Sequence, residues 1–557
     1  MMKLSFPYNP QLIEQIKTIP QRSWNPNDKT WEIPDEFLAT AINYIRPHYP
    51  DVAQGLEDYA LNAKSASPLL MELGESASTL DLTSPETKEI VEKVRNDLNL
   101  PYTLYPYQEL CVAFMETAES KGILIADAMG LGKTIETIAW LSLHPELSPT
   151  VIVTPASVKL NWQRELQKWI PNSKVQVIKN GSDTFKDDQD FYIVNYDLIW
   201  RMEDKMLELD YKTLVLDEVT YIKEGKSKRT KMAKKLGKTA EKVIGLSGTP
   251  ILNRPIEFFN FLNMTDSKLF SNLISFGTRY CGGKQISIPS KFGRRMIWNF
   301  NGATNLTELG TLLKPFTIRR LKSQVLTELP DKRREFLYLD LPKKFKTAYL
   351  ANEKKLIWEL SDVNAGASLQ STDILSLLGR LRHIIGQAKA DVAKEYIQQF
   401  VNSGDKLLVF GHHHDVLDSL ETYLSKEGIN YVRADGSTNA ENRDKAITKF
   451  QTDDKCLVFL ATTAMGMGVT LTAASNALFI ERQWSPGMEE QMEDRVHRIG
   501  QKRGVIVWYM QIEDTIDERM SKVVEGKRGI ITEILDEGRG ESIQGSSLVD
   551  EVLESYL

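Results

Sequence analysis

The segment Asp127-Ala-Met-Gly-Leu-Gly-Lys-Thr134 stands between two apolar runs, Gly122-Ile-Leu-Ile-Ala126 before it and Ile135-Glu-Thr-Ile-Ala-Trp-Leu141 after it. This order predicts a strand, a glycine loop and a helix. A Gly-Lys-Thr at the start of a helix surrounds a polyphosphate with backbone N–H groups, the positive end of the helix dipole and one ammonium group, and it leaves a hydroxyl for Mg²⁺. The full spacing asks for glycine at position 127, where this chain has Asp127, so the match is incomplete.

The composition is that of a globular protein with several domains. The chain has 557 residues, of which 42% are hydrophobic and 26% charged, and its net charge is −6. Its three cysteines form no closely spaced pair, which predicts neither a disulfide framework nor a zinc site and fits a reducing compartment. No signal peptide and no apolar run of about 18 residues is visible. We therefore expect a soluble intracellular protein without a membrane partner.

Short apolar runs alternate with helical patterns in two parts of the chain, which predicts the α/β fold class. The first set of predicted strands covers 122–126, 150–154, 191–195, 212–216 and 243–247, and the second covers 406–410, 431–434, 456–461, 477–481 and 505–510. Between the sets, 251–335 is predicted to be largely helical. The predicted domains are a small α+β module (1–50), a connector (51–95), a first lobe with a helical insertion (96–335), a helical insertion with a second lobe (336–535) and a tail (536–557).

The first 50 residues predict a module with its own small core. A helix is expected at 11–19, followed by a short hairpin that places Trp24 and Trp31 on opposite strands, and a second helix that runs through Ile45. At the other end of the chain, apolar residues at helical spacing in 547–557 predict an amphipathic helix. We expect this helix to dock on its own lobe, with a partner-binding peptide as the alternative.

Two further patterns carry chemistry. Leu214-Val-Leu-Asp-Glu218 is an apolar strand that ends in two carboxylates, so Asp217 can hold Mg²⁺ while Glu218 orients or deprotonates the attacking water. Far along the chain, Arg495 and Arg498 are predicted to lie one helical turn apart on one helix face, where two guanidinium groups could meet developing phosphate charge. The alternative for this pair is an ordinary surface helix.

With these motifs in order, the chain resembles the Swi/Snf-type helicase-like ATPases of superfamily two over residues 104–525. The matching pieces are Leu104-Tyr-Pro-Tyr-Gln108, the glycine loop, Thr154-Pro-Ala-Ser157 with Asn161-Trp162, Asp217-Glu218, Ser247-Gly-Thr-Pro250, Arg319-Arg-Leu-Lys322, Asp435-Gly-Ser437 with Arg443, Gly466-Met-Gly468 and 491–501. The resemblance implies two RecA-like parallel-sheet lobes and a DNA-dependent ATPase that uses ATP and Mg²⁺.

The resemblance also implies a role for each matching residue. Lys133, Asp217, Glu218, Arg495 and Arg498 would be catalytic, with the two arginines as fingers, and Thr134 and Asp217 would hold the metal. The remaining implied contacts are with the nucleotide, through Gln108 at the adenine edge, Asp127, Met129, Gly130, Leu131, Gly132, Lys133, Thr134 and Gly468, and with the DNA strand, through Thr154, Ser157, Ser247, Thr249 and Thr463. Thr220 departs from the family, which often has a histidine there, and so does Ala128, where an acidic residue is frequent.

A narrower resemblance concerns the N-terminus. Phe6-Pro-Tyr-Asn-Pro10, the turn from Trp24 to Trp31 and the helix after it are similar to a HARP (HepA-related protein) module, which is attached to annealing helicases that remodel replication forks. This implies a double-stranded DNA translocase that remodels or reanneals branched DNA. No strand-separating pin or nuclease motif is evident in the sequence, which favours translocation over unwinding. The rivals are a strand-separating helicase, a remodeller that displaces proteins from DNA and an ATP-gated DNA-binding scaffold.

Local charge bears on the partner. The overall acidity argues weakly against nucleic acid, but residues 223–238 carry eight basic residues against Glu224 alone. Such runs are usually solvated faces, whereas the family resemblance favours a surface that faces DNA or the other lobe. The expected partners are double-stranded or branched DNA and, as candidates, a single-strand binding protein or replication factor. We expect a monomer in a bacterial or phage-infected cytoplasm, or in the nucleus if the source is eukaryotic.

Overall fold

The structure is a computed structural model, and it describes residues 2–4, 9–19, 22–25, 30–33, 38–49, 85–248, 255–290, 293–300, 302–326, 328–363, 372–462, 470–484, 486–536 and 548–556. Most of the connector, and the candidate residues Thr249, Thr463 and Gly468, lie outside this part of the chain. The chain divides into two compact units, built mainly from residues 1–325 and 326–557, and each unit is described by itself.

The N-terminal module is a three-stranded antiparallel sheet with two helices. Its elements are β1 (Met2–Leu4), α1 (Pro10–Ile16), β2 (Ser23–Asn25), β3 (Thr30–Ile33) and α2 (Leu38–Ile45), with strand order β1-β3-β2. Trp24 pairs with Trp31 across the hairpin, and their ring centroids lie 5.2 Å apart. The predicted hairpin and both helices are confirmed. Leu12, Ile16 and Ile33 belong to the same buried cluster as the first lobe, so the module is packed on that lobe.

The first lobe is a seven-stranded parallel sheet in the order β12-β4-β9-β8-β5-β7-β6. Its strands are β4 (Gly122–Ile125), β5 (Thr150–Thr154), β6 (Val175–Val177), β7 (Phe191–Asn195), β8 (Thr213–Asp217), β9 (Lys242–Leu246) and β12 (Thr317–Ile318). Helices before and between the strands are α3 (Pro85–Asp97), α4 (Pro106–Thr117), α5 (Lys133–Leu143), α6 (Lys159–Trp169), α7 (Tyr196–Ile199), α8 (Glu203–Glu208) and α9 (Lys228–Thr239). The five predicted strands are confirmed. Their apolar runs are buried on both faces of the sheet, which is why the sequence pattern indicates them.

The insertion before β12 differs from the prediction. Residues 251–335 do contain helices, namely α10 (Phe259–Thr265), α11 (Leu273–Tyr280), α12 (Leu306–Leu313) and α13 (Lys322–Val325). They also contain an antiparallel hairpin, β10 (Lys284–Ser290) and β11 (Gly293–Asn299), and the start of a strand of the second lobe. The prediction of a largely helical segment was therefore wrong for the hairpin, whose exposed strands lack the apolar runs that mark buried ones.

The second lobe is a six-stranded parallel sheet in the order β13-β18-β17-β14-β16-β15. Its strands are β13 (Lys332–Leu339), β14 (Leu407–Gly411), β15 (Tyr431–Ala434), β16 (Val458–Thr462), β17 (Asn476–Phe479) and β18 (Val505–Ile512). The helices are α14 (Lys343–Val363), α15 (Thr372–Ser403), α16 (His414–Lys426), α17 (Ala440–Thr452), α18 (Pro486–Glu493), α19 (Ile516–Asp536) and α20 (Leu548–Glu554). The second set of predicted strands and the α/β class are confirmed.

Two predicted boundaries move. The division at 335/336 would cut β13, which pairs along its whole length with β18, and the units separate at Val325 instead. At the other end, α3 starts inside the predicted connector but is joined to α4 by the ion pair between Arg95 and Glu109, with an N–O distance of 2.5 Å. The C-terminal α20 docks on its own lobe, as predicted, where Val552 and Leu553 are buried. Among the described helices, none has the length and apolar character needed to cross a membrane.

Candidate active site

The glycine loop joins the end of β4 to the start of α5. Gly130 and Gly132 have φ values of 84° and 101°, in the left-handed region that favours glycine. Lys133, the first residue of α5, donates from Nζ to the carbonyl oxygens of Asp127 (2.8 Å) and Ala128 (3.3 Å). Burial lowers the pKa of the Lys133 ammonium group, while nearby carboxylates oppose that shift. The sequence thus places a partly desolvated cation and a helix N-terminus together, as anion binding requires.

The residue that replaces the expected glycine has a partner far along the chain. The Asp127 carboxylate accepts from Arg320 Nε, at 3.1 Å to Oδ1 and 3.0 Å to Oδ2, and Arg320 Nη2 also donates to Glu136 Oε1 at 2.6 Å. All three side chains are fully buried. The backbone N–H of Ala128 donates to the carbonyl of Arg320 at 2.9 Å, so the loop is held by main chain and side chain together. Asp127, a predicted nucleotide contact, directs its carboxylate into this cluster.

Arg320 was not among the predicted site residues. It lies within the family motif Arg319-Arg-Leu-Lys322, to which the sequence assigned no role. Its burial could not be read from local pattern, because an arginine in a polar stretch is normally exposed. A signal was nevertheless present, since an aspartate in a glycine position after a buried strand requires a cation nearby.

Gln108 lies against the glycine loop, where the family resemblance expects it. Its Oε1 accepts from the backbone N–H of Tyr105 at 3.0 Å, which fixes the start of α4. A Cβ atom added to Gly132 would come within 2.4 Å of Gln108 Nε2, so the loop needs glycine here for a second reason, the close approach of this amide. The structure therefore brings Gln108, Gly132 and Lys133 together.

The two carboxylates end β8 at the same edge of the sheet. Asp217 Oδ2 accepts from the Trp162 indole N–H and from the Thr154 hydroxyl, both at 2.8 Å. Burial raises the pKa of Asp217, whereas these two hydrogen bonds and Lys133 act in the opposite direction. Glu218 follows with a φ of 62°, a conformation that non-glycine residues seldom adopt. Thr220, at the position where the family often has histidine, donates to Glu218 Oε1 at 2.8 Å.

Two of the predicted strand contacts in the first lobe, Thr154 and Ser247, lie inside the edge of the sheet. Thr154 and Ser247 are fully buried, and the Thr154 hydroxyl is bound to Asp217, so neither side chain presents its hydroxyl at the surface. Small polar residues at the ends of buried parallel strands stay within the sheet edge, which explains why these two side chains are buried. Ser157 is partly exposed.

In the second lobe, Arg495 and Arg498 do not lie on a helix. The helix α18 ends at Glu493, and both arginines follow it in turns and bends, so the prediction of one helical face was wrong. Arg495 is buried and donates from Nε to the carbonyl of Gln491 at 2.9 Å, while Arg498 Nη1 donates to the Thr470 hydroxyl at 3.0 Å. The alternative of an ordinary surface helix is excluded as well.

The turn that carries these arginines is supported by two buried glutamates one helical turn apart on α18. Glu493 Oε2 accepts from Lys332 Nζ at 2.7 Å, and Glu493 Oε1 accepts from Arg334 Nε at 2.7 Å. Glu489 accepts from Arg482 Nε at 2.9 Å and from Arg528 Nη2 at 2.6 Å. Four cations from β13, the end of β17 and α19 thus enclose two carboxylates. The sequence indicated neither glutamate, because their partners come from distant elements.

Comparisons with known proteins find two family domains in this chain. Residues 107–390 match the model of the SNF2-related domain, and residues 388–500 match that of the helicase conserved C-terminal domain. A Caenorhabditis elegans protein, "SWI/SNF-related matrix-associated actin-dependent regulator of chromatin subfamily A-like protein 1 homolog", is 32% identical over 95% of this chain and 74% of its own length. The human protein "DNA annealing helicase and endonuclease ZRANB3" is 33% identical over 79% of this chain and 41% of its own length.

The chain therefore belongs to the SNF2-related family of helicase-like ATPases. Within that family its relatives include the annealing helicases, and it is a DNA-dependent ATPase that binds a nucleotide. It spans about half the length of the Xenopus relatives it matches. A solved structure, "Sulfolobus solfataricus SWI2/SNF2 ATPase core in complex with dsDNA", is 27% identical over 79% of this chain and 95% of its own, with a TM-score of 0.39. The sequence matches carry the assignment.

Proposed function

We propose that this protein is an ATP-driven translocase on double-stranded DNA that remodels or reanneals branched and forked DNA. The observation that carries the proposal is the sheet edge where Lys133 stands at the glycine loop and Asp217 and Glu218 end β8, within a chain of the SNF2-related family. The names of two relatives, a DNA annealing helicase and a chromatin regulator, support the choice of DNA as the substrate.

Each residue of this edge has a proposed task. The Lys133 ammonium group and the backbone N–H groups of 130–134 bind the β- and γ-phosphates, and Gln108 contacts the adenine. Glu218 orients the attacking water. Arg495 and Arg498 belong to the second unit and are proposed as arginine fingers, a role that elsewhere is worth about 10³–10⁵ in rate.

The residues present also fit Mg²⁺. The Thr134 hydroxyl and the Asp217 carboxylate are oxygen donors, the type that Mg²⁺ prefers, and two hydrogen bonds hold the Asp217 carboxylate in one orientation. When bound, the ion would neutralise phosphate charge. Trp162 and Thr154 therefore act through Asp217, as positioning residues.

The DNA-facing surface of the first lobe is proposed to include the basic run at α9. Six lysines of this run are exposed, and exposed cations bind a phosphate backbone favourably. They are Lys223, Lys226, Lys228, Lys231, Lys235 and Lys238. We further propose that Ser157, Thr249 and Thr463 contact the strand, and that the HARP-like module directs the protein to forks. We also propose that the protein acts as a monomer in the bacterial cytoplasm or the nucleus. A single-strand binding protein is a candidate partner.

The deciding experiment is steady-state ATP hydrolysis with and without linear duplex DNA. We expect strong stimulation by duplex in the wild type and its loss in Lys133→Ala and Arg498→Ala. Lys174→Ala is the matched control, because its side chain is half exposed and forms a surface ion pair with Asp188. Absent stimulation by DNA, or unaltered activity in Lys133→Ala and Arg498→Ala, would overturn the proposal of a DNA-driven motor.

Strand displacement and roadblock assays separate the remaining rivals. A strand-separating helicase would release one strand from a tailed duplex, and a protein-displacing remodeller would clear a bound protein without regressing a fork. A fork remodeller is expected to regress or reanneal a model fork and to do neither of the other two efficiently.

A further inference from the structure

The hairpin β10–β11 belongs to the first unit's insertion, and most of its side chains that the structure describes are exposed. Its strands pair antiparallel from Lys284↔Asn299 to Ser290↔Gly293, and no third described strand joins them. An isolated two-stranded hairpin buries little surface and is marginal unless something supports it. The stretch 284–299 contains four basic residues, Lys284, Lys291, Arg294 and Arg295, and no acidic residue. In a chain of net charge −6, this concentration favours a phosphate-bearing ligand.

One face of the hairpin combines a basic residue, Arg294, with large apolar side chains. Residues opposite each other on paired strands share a face, so Met296 stands beside Ser287 and Trp298 beside Gln285. The short or polar neighbours leave Met296 55% exposed and Trp298 37% exposed, and Arg294 is exposed on the same face. Basic and aromatic side chains interleaved on one strand are the combination that binds unstacked nucleic-acid bases and their phosphates.

The base of the hairpin is fixed to the end of α11. Trp298 stacks on Phe300, with ring centroids 5.7 Å apart, and Phe300 lies so close to Gly277 that an added Cβ would meet its ring at 2.4 Å. The backbone continues this anchorage, because Gly302 N–H donates to the carbonyl of Cys281 at 3.0 Å. The ring on which the Trp298 indole stacks is thus packed against α11, and this support lowers the entropy cost of stacking a base on the indole.

The same helix end also holds the N-terminal module. Arg279 donates from Nε to Glu308 Oε1 at 2.6 Å and from Nη1 to the Tyr44 hydroxyl at 2.9 Å, and its side chain is almost fully buried. Thr40 of the module donates to the other oxygen of Glu308. Helix α11 therefore connects the hairpin on one side with the module on the other.

We propose that hairpin β10–β11 engages the branch point of forked DNA, with Trp298 and Met296 against unpaired bases, Arg294 on the adjoining phosphate and Arg295, on the opposite face of the strand, on another phosphate of the junction. The occupant is a branch point because stacking on an indole needs an unstacked base, which continuous duplex does not offer and a junction does. Through α11, the module and the hairpin then meet the fork as one rigid element. This inference rests on the proposed function and specifies its substrate.

The test uses the full chain and a model fork that carries 2-aminopurine at the first base pair of the junction. Wild-type protein is expected to raise the fluorescence of this base on binding, because the base leaves the stack. Trp298→Ala should abolish the rise, weaken fork affinity about tenfold and prevent regression, while ATPase stimulation by linear duplex stays within about twofold of wild type. Arg294→Gln/Arg295→Gln should lower the salt slope of fork binding by about two.

The control is Lys354→Gln/Lys355→Gln, two exposed lysines of α14 in the second unit, which removes the same charge and should change neither readout. Unaltered fork binding and regression in both hairpin variants would overturn the proposal. So would an equal loss of linear-duplex ATPase, since the hairpin would then belong to a general DNA track. Failure of the proposed function is distinct, because wild-type protein would then show no stimulation by any DNA.

Discussion

Arg320 and Asp127 form an ion pair in which neither side chain is exposed, although 193 positions separate them in the chain. The guanidinium group reaches the first residue of the glycine loop from the segment after β12, beside the strand β4 that leads into that loop. The glycine loop is therefore held in place by two distant parts of the first lobe.

Replacing Arg320 should damage both stability and nucleotide binding. Arg320→Gln leaves two buried carboxylates without their cation, and breaking a buried pair in this way costs about 3–5 kcal/mol in the free energy of unfolding. Lys174→Gln, which breaks an exposed pair, should cost less than about 1 kcal/mol. Urea unfolding and binding of a fluorescent ATP analogue measure the two effects. Equal stability of the two variants would contradict the role assigned to Arg320.

Trp162→Phe should lower the affinity of the site for Mg²⁺ while an aromatic ring stays in the core. The change deletes one of the two donors to Asp217 Oδ2, and a hydrogen bond to a charged group contributes about 1.5–3 kcal/mol. We expect the Mg²⁺ concentration for half-maximal ATPase to rise several-fold. Trp169→Phe is the matched control on the same helix, because its indole donates to Glu165 at the surface. Identical Mg²⁺ titrations of the two variants would refute the positioning role.

Glu493 should make the second lobe sensitive to acid. Burial opposes its ionisation, but Lys332, Arg334 and Arg528 hold the pKa of Glu493 well below its ordinary value of 4.5. Its stabilising contribution is therefore present above that value and fades as the pH falls towards the folded-state pKa. Glu493→Gln should lose about 3–5 kcal/mol near neutral pH, with a smaller difference from wild type below pH 4.5.

The measurement for this prediction is the urea midpoint of both proteins over that pH range. Glu490→Gln is the control. Glu490 lies on the same helix and is half exposed, so its replacement should change the urea midpoint little at any pH. A difference between wild type and Glu493→Gln that does not depend on pH would show that the loss comes from packing and not from charge.

Tyr44→Phe should separate fork preference from motor activity. The change removes the hydroxyl that accepts from Arg279, at a cost of about 1 kcal/mol, and it loosens the module from α11. We expect a smaller ratio of fork affinity to linear-duplex affinity and unchanged ATPase on linear duplex. Tyr423→Phe, which loses a hydrogen bond to Gln398 in the second unit, should leave this ratio unaltered. An unchanged ratio in Tyr44→Phe would remove the module from fork recognition.

The sheet strands that the sequence predicted share one physical property, burial on both faces. Residues 150–154 and 191–195 are continuous apolar runs, and such runs can be read as strands without knowledge of their neighbours. Strand β13 was missed because it starts Lys332-Arg-Arg and only one of its eight residues is buried. The hairpin β10–β11 was missed for the same reason, because its exposed strands carry no apolar run.

The candidate site likewise has a part that the sequence predicts and a part that it does not. Lys133, Asp217 and Glu218 follow from local spacing, because the carboxyl ends of parallel strands meet at one edge. The contacts of Arg320 with Asp127, and of Lys332 with Glu493, join residues more than 150 positions apart, and no local pattern encodes them. The placement of Arg495 and Arg498 after the end of α18 likewise depends on those distant partners.

The hydrogen bond between Gly302 and Cys281 has a consequence for how the chain could vary. It brings together the two ends of the segment that contains the hairpin. The length of this segment can therefore change at little cost in loop entropy. Substrate choice would then be exchangeable between relatives by grafting this one segment, with the ATP-hydrolysing sheet left as it is.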